Sequence, residues 1–325
     1  MCIIQGDMKT IGIDLLGSDA GYGIFPEACL TVLNNHNDIQ LVCYGDQVAC
    51  EKMPKNDRIR YEECSEVVKM EDSILSVRRK KDSTLMRMMK DLNDRKLDGV
   101  LSAGSTAGIV LSAHFNCKLV EGVHHSFLIS PLPSAKNKPV YLADMGANAE
   151  CTAEDLYSFA LLANEYVKKT GNSQPQIGLL NIGAEETKGD HVHREAYELL
   201  KKDDSLCFKG NCEGRDVLSG DYDIVVSDGF SGNVLLKSME GTASFIISLL
   251  KESFTSSLLS KIGALLLKKK LYALKEKVDY KSYGGACLLG FERPIIKAHG
   301  SSDTKAVISA LSLLIRLLQS QESVL

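Results

Sequence analysis

The chain of 325 residues has no tryptophan, only 7 prolines against 26 glycines, and no apolar run near the ~18 residues that cross a bilayer. No membrane-spanning segment is expected, and the glycine excess suits a protein with many tight strand-to-helix turns. Ten cysteines stand at 2, 29, 43, 50, 64, 117, 151, 207, 212 and 287 without one CxxC pair, which argues against a cysteine-held zinc. They are read as free thiols in a reducing compartment. Residues 1–7 lack the charged start and apolar run of a secretory signal and form a short N-terminal extension. Basic excess is missing too: a net charge of −4 and a pI near 6.0 count against nucleic-acid binding. Glycines 17, 21 and 23 do not make GxGxxG, so no dinucleotide fingerprint follows the first strand. What is left is an ordinary globular composition, 44% hydrophobic and 25% charged, in a chain long enough for one large α/β domain or two smaller ones and expected in the cytoplasm.

One unit recurs along the chain. Its clearest copy is Asp221-Tyr-Asp-Ile-Val-Val-Ser-Asp-Gly-Phe-Ser-Gly-Asn-Val-Leu-Leu-Lys237. An apolar β-branched run reads as a buried strand, 227–233 reads as a polar loop, and a helical pattern starts at Val234 and runs to Gly241. Further copies start at Lys9-Thr-Ile-Gly-Ile-Asp14 with Pro26 opening the next helix, and at Asp98-Gly-Val-Leu-Ser-Ala-Gly-Ser-Thr-Ala-Gly108. Two more start at Pro139-Val-Tyr-Leu-Ala-Asp144, before a helix over 153–169, and at Gln176-Ile-Gly-Leu-Leu-Asn-Ile-Gly183. A last strand, 295–298, turns through His299-Gly-Ser-Ser302 into a helix over 303–318. Such a succession predicts a doubly wound, mostly parallel α/β sheet whose carboxyl-end loops aim into one crevice. Ser102, Gly104, Ser105 and Thr106 bring hydroxyls and unhindered N–H groups to a helix start, as anion binding requires; tight strand-to-helix packing explains them equally well. His299 beside Gly-Ser-Ser is a candidate anion donor. Lys188 stands where a lysine can reach a phosphate, although its Gly183-x4-Lys-Gly spacing is no P-loop. His191 and His193, two apart on a helix, face apart and do not suggest a metal site. The basic run 78–81 reads as a solvated helix start before a methionine-rich helix, 83–92.

Residues 243–278 do not fit the sheet. Ile247, Leu250, Phe254, Leu258, Ile262 and Leu265 make an apolar stripe ending near Gly263, and Leu267, Leu271, Leu274 and Val278 make a second beside Lys268, Lys269, Lys270, Lys275 and Lys277. The pattern predicts a protruding amphipathic helical hairpin, basic at its tip. The first stripe suits packing between two copies of the chain. The tip, Leu265, Leu266, Leu267 and Lys268–Lys270, suits an anionic membrane surface or an acidic protein.

Taken together, Ser102-Ala-Gly-Ser-Thr, Asp144-Met-Gly-Ala-Asn, Leu180-Asn-Ile-Gly-Ala-Glu-Glu-Thr-Lys-Gly, Glu213-Gly-Arg-Asp, Ser227-Asp-Gly-Phe-Ser-Gly-Asn-Val and Tyr283-Gly-Gly-Ala with Ala298-His-Gly-Ser-Ser resemble the bacterial phosphate acyltransferase family of phospholipid synthesis. The order and spacing match from about residue 8 to the end, which implies one catalytic domain over 8–325 with the hairpin as an insertion. The resemblance implies a fold related to phosphotransacetylases and isocitrate dehydrogenases, and transfer of a fatty acyl group from acyl carrier protein to inorganic phosphate. It further implies a homodimer, peripheral contact with the inner face of the membrane, and neither cofactor nor metal. The chain departs from the family pattern at Ser18, at Ser105 and around His124-His125-Ser126. Two other readings stay open: a phosphotransacetylase using acyl-CoA, and a catalytically reduced scaffold for membrane or carrier protein.

Acyl transfer to phosphate needs little acid–base help, since phosphate is already anionic and the departing thiol has a pKa of about 8.5. It needs phosphate held against a thioester and a donor for the tetrahedral oxyanion. Ser102, Gly104, Ser105, Thr106, Lys188, Arg215, His299, Ser301 and Ser302 are the candidates for holding phosphate. Asn233 is the candidate for the oxyanion, and Asp228 for orienting a donor such as Lys188.

Overall fold

The computed structural model describes residues 8–69, 71–278 and 284–320. The N-terminal extension, Tyr283 and the side chains of 274–278, which carry part of the second apolar stripe, fall outside that description.

Eleven strands form one sheet: β1 (Lys9–Asp14), β2 (Ile39–Gly45), β3 (Ile59–Glu63), β4 (Gly99–Ser102), β5 (Phe127–Leu132), β6 (Val140–Ala143), β7 (Gln176–Asn181), β8 (Cys207–Glu213), β9 (Ile224–Val226), β10 (Ala286–Leu289) and β11 (Ile295–Lys297). The order is β3-β2-β1-β4-β11-β10-β5-β6-β9-β7-β8. Seven pairings are parallel; the three around β10 and β5 are antiparallel. The sheet is therefore mostly parallel, as the repeated units predict. An odd number of antiparallel steps lies between the two parallel halves, so β4 and β11 run opposite to β6 and β9. Residues that follow all four strands, Thr106, His299, Met145 and Asn233, still reach one site, as the recurring units predict.

Alternation along the strands shows how the faces are covered. Ile11, Ile13, Leu101, Ile129, Ile177, Leu179, Ile224, Val226 and Ile296 point to one face, packed under α1 (Phe25–Asn35), α6 (Ala153–Lys169), α7 (His191–Lys202) and α10 (Thr304–Gln319). On the other face, Val42, Val100, Leu128, Leu288 and Ile295 pack under α4 (Thr84–Asn93) and α5 (Thr106–Asn116). Farther along that face, Leu132, Val140, Leu142, Leu180 and Val225 pack under the start of α8 (Gly229–Thr255). Between α5 and α8 the cover on this second face is interrupted over β5 and β10, and the gap is a cleft.

The strand after 221 ends in a cap rather than a long loop. Asp228 accepts a bond from the Ser231 N–H at 2.7 Å, and α8 starts at Gly229, five residues before the sequence pattern suggests. Its glycines serve close approach: a Cβ on Gly232 would lie 1.9 Å from the Asp144 carbonyl oxygen, and one on Gly229 2.4 Å from that of Asn148. Gly241 lies inside the helix with open space around it. The hairpin partner is α9 (Leu258–Val278), so the bend falls at Ser256 and Ser257 rather than near Gly263. Ser257 caps the new helix, taking the Ser260 N–H at 3.1 Å. Leu265–Lys270 thus lie within α9, roughly 10 Å beyond the bend at ~1.5 Å per residue. Leu265 and Leu266 remain 71% and 83% exposed. No described helix is long and apolar enough to cross a membrane.

Two short helices, α2 (Gln47–Lys52) and α3 (Ile74–Arg79), complete the fold; the basic run 78–81 ends α3, with Arg78 and Arg79 exposed as a solvated surface.

Candidate functional site

The cleft floor is one rung of the sheet. Ser102, Lys297 and Ala286 are paired neighbours on β4, β11 and β10, and Ser130 of β5, whose hydroxyl donates to the Gly285 carbonyl at 3.2 Å, continues the row. Leu128, Leu132 and Met145 continue the wall towards α8, which contributes Asn233, Leu236, Lys237 and Glu240. The opposite wall is Thr106 at the start of α5 and the turn from β11 into α10, with His299, Ser302 and Ala306. The α5 and α10 side brings two helix N-termini, Lys297 stands on the floor, and Lys237 stands on the α8 side among the apolar residues; the helix starts and the two lysines favour an anion.

The hydroxyls at these helix starts divide sharply. Ser102 is fully buried and donates to Asp14 at 2.7 Å while accepting from the Gly104 N–H at 3.0 Å. Burial pushes the Asp14 carboxyl above its usual range, and the Ser102 bond opposes that rise. Ser105 caps α5 by accepting from Gly108 at 3.0 Å. Thr106 is the member of this motif that lines the cleft. Ser302 is 1% exposed and lines the cleft; its N–H donates to the His299 carbonyl at 2.9 Å, but its hydroxyl has no hydrogen-bond partner among the described residues. His299 Nδ1 accepts from the Ser301 N–H at 3.2 Å, so in the neutral ring the hydrogen sits on Nε2. Ser301 is exposed, its hydroxyl 2.9 Å from the same ring nitrogen. The first loop supports this turn, with the Ser18 hydroxyl and the Asp19 N–H both donating to the Gly300 carbonyl.

Asn233 projects from the second turn of α8 beside Gly146 and lines the cleft. The neighbouring Asp144 is buried and collects N–H bonds from Leu128, Gly146, Ala147 and Asn148; burial raises its carboxyl, and those bonds oppose the rise. The three charged residues of the cleft escaped the motif reading: Lys237, Glu240 and Lys297. Lys237 pairs with Glu240 at 2.8 Å, while the other Glu240 oxygen is buried without a partner among the described residues. Lys297 closes β11, and burial, reinforced by the charge of Lys237, pushes its ammonium down to about 8. The signals existed: Lys297 precedes His299 by two residues, and Asn233, Lys237 and Glu240 are spaced by helical turns.

Other candidates stand elsewhere. Lys188 is exposed in the loop after β7, its carbonyl accepting from Asn181 at 3.2 Å, and it does not line the cleft. Arg215, after the edge strand β8, is 77% exposed and paired with Glu213 at 3.1 Å. Asp228 is occupied as the α8 cap and lies 3.8 Å from His193 Nε2; no described bond joins it to Lys188. His193 also meets Asp190 at 2.8 Å. β7 and β8 are the strands beyond β9 at one edge of the sheet; they run parallel to β9, but their loops lie off the cleft that the β9 loop reaches. The departures at 124–126 are tied into the scaffold, His125 to Asp155 at 2.7 Å and the Ser126 hydroxyl to His114 at 3.0 Å. All nine described cysteines are free.

Fold and cleft together define an α/β protein with an anion-favouring site beside an apolar wall. Its fold is that of a Streptococcus pyogenes phosphotransacetylase, with a TM-score of 0.62 at 16% identity over 96% of this chain and 94% of that one. The family model for fatty acid synthesis proteins matches residues 9–325. Proteins named phosphate acyltransferase from Streptococcus agalactiae and Staphylococcus haemolyticus are 42% and 40% identical, over 97% and 94% of this chain and 96% and 93% of theirs. The chain belongs to this family of phosphate acyltransferases and is an acyltransferase.

Proposed function

We propose that the protein transfers a fatty acyl group from acyl carrier protein to inorganic phosphate, yielding acyl phosphate for phosphatidic acid synthesis. The observation that carries this reading is the two-sided cleft, with Thr106, His299 and Ser302 facing the apolar wall of Leu128, Leu132, Met145 and Leu236. Phosphate binds between the starts of α5 and α10, held by N–H groups, the two hydroxyls and the His299 ring. The thioester enters from the α8 side, its first methylenes against the apolar wall. A phosphate oxygen attacks the carbonyl carbon, and Asn233 donates to the oxyanion as charge develops. The intermediate collapses with loss of the carrier thiol.

The protein acts as a homodimer in the cytoplasm, with the exposed Phe245, Ile246 and Leu249 of α8 available to a second copy. The α9 surface of Leu265–Lys270 gives it peripheral contact with the membrane. Incubation with long-chain acyl carrier protein and phosphate, with hydroxylamine trapping, is the decisive assay. We expect phosphate-dependent hydroxamate with the carrier-bound donor and little with acyl-CoA. A preference for acyl-CoA would replace the donor, and no product from either would leave a scaffold.

A further inference from the structure

We propose that Lys297 is a catalytic residue that passes the proton of hydrogen phosphate to the departing sulfur. The proposal rests on the acyl-phosphate reading of the cleft. Lys297 stands on the cleft floor between Ser102 and Ala286, with the starts of α5 and α10 to one side and Asn233 of α8 to the other. An ammonium has three N–H donors. Lys297 gives one to the Ala298 carbonyl at 3.3 Å, its single described bond. Two donors remain for whatever enters the cleft. Lys237, the other lysine there, is more exposed and already paired with Glu240.

The groups facing Lys297 come from each packed element. Burial lowers its basicity most, and Lys237 lowers it further; Glu240 on α8 and Asp19 in the first loop act the other way. His299 shares the same cleft. The result, about 8, lies close to the ~8.5 of a thiol and near neutral pH, where an acid–base group works best.

The step balances without another reactant. A hydrogen phosphate oxygen forms the new bond to the carbonyl carbon, and the carbon–sulfur bond breaks with its electron pair going to sulfur. Lys297 gives one proton to that sulfur and takes the phosphate O–H proton in return. The thiol leaves neutral, the acyl phosphate forms, and the ammonium is restored.

Single-turnover rates with long-chain acyl carrier protein test this on the full chain, comparing wild type, Lys297→Met and Lys297→Arg across pH 6–10. A thiol of pKa ~8.5 needs no strong acid, but hydrogen phosphate must still lose its proton as the acyl phosphate forms. We therefore expect Lys297→Met to lose about 10²-fold in rate, the low end for proton-transfer catalysis. Lys297→Arg keeps the charge but cannot release a proton near neutrality, so it should keep the phosphate KM while staying slow. Wild-type turnover should fall above about 8, as the ammonium needed to protonate sulfur is lost, and Lys297→Arg should lack that limb. A Lys297→Met enzyme within threefold of wild type, a fast Lys297→Arg enzyme, or a flat wild-type profile each overturns the proposal. The last needs no variant to fold. Product from wild type with Lys297→Met undiminished removes Lys297 alone; no product from wild type removes the acyl-phosphate reading with it.

Discussion

Ser302 and Ser102 carry the same hydroxyl at comparable helix starts, yet they stand in opposite situations. The Ser102 oxygen is bonded on both sides inside the protein, to Asp14 and Gly104. The Ser302 oxygen is buried and has no partner among the described residues. Leaving a buried hydroxyl unpaired costs about 1–3 kcal/mol, a strain a bound phosphate would relieve. Ser302→Ala should therefore leave the melting temperature unchanged or slightly higher, while raising the phosphate KM roughly tenfold, the worth of about one hydrogen bond to an anion. A thermal melt beside phosphate titration kinetics checks both halves. The sequence offers no way to tell the two serines apart, because the difference lies in Asp14, a residue 88 positions from Ser102.

The start of α8 shows the same limit for an element. Ser227-Asp-Gly-Phe-Ser-Gly-Asn is rich in turn formers and reads as a loop, because glycine serves both turns and close packing. Here Gly229 and Gly232 lie in the first turn of a helix, where the backbone of Asp144–Asn148 leaves no room for a Cβ. Gly232→Ala has better helix propensity by about 1 kcal/mol, yet must move backbone that a Cβ would approach to 1.9 Å. We expect a net loss of about 1–3 kcal/mol, read as a lower midpoint in urea, with activity falling too because Asn233 is the next residue. A variant as stable as wild type would show that α8 is free to shift away from β6.

For the molecule as a whole, the hairpin carries its exposed apolar and basic surface away from the sheet. If Leu265–Lys270 meets an anionic membrane, the triple change Lys268→Glu, Lys269→Glu and Lys270→Glu should weaken sedimentation with anionic phospholipid vesicles by about 100-fold or more, at ~1 kcal/mol per lysine. These side chains are exposed, so the melting temperature should barely move. Equal binding by wild type and variant would assign the surface to another partner.

Local signals determined much by themselves. The apolar strands, the capped helix over 153–169 and the α/β class were legible because burial periodicity and caps act within a few residues. Thr106, Asn233, His299 and Ser302, which line the cleft, could be picked out as candidates because they sit in short motifs at helix starts. Tertiary structure decided the rest. Strand order puts β7 and β8, with Lys188 and Arg215 behind them, beyond β9 at one edge of the sheet, and leaves the cleft over the middle strands β5 and β10. Lys297, Lys237 and Glu240 meet there because two helices leave one face of the sheet uncovered. That gap depends on strand direction and order, set by contacts between residues up to hundreds of positions apart, and no local pattern records it.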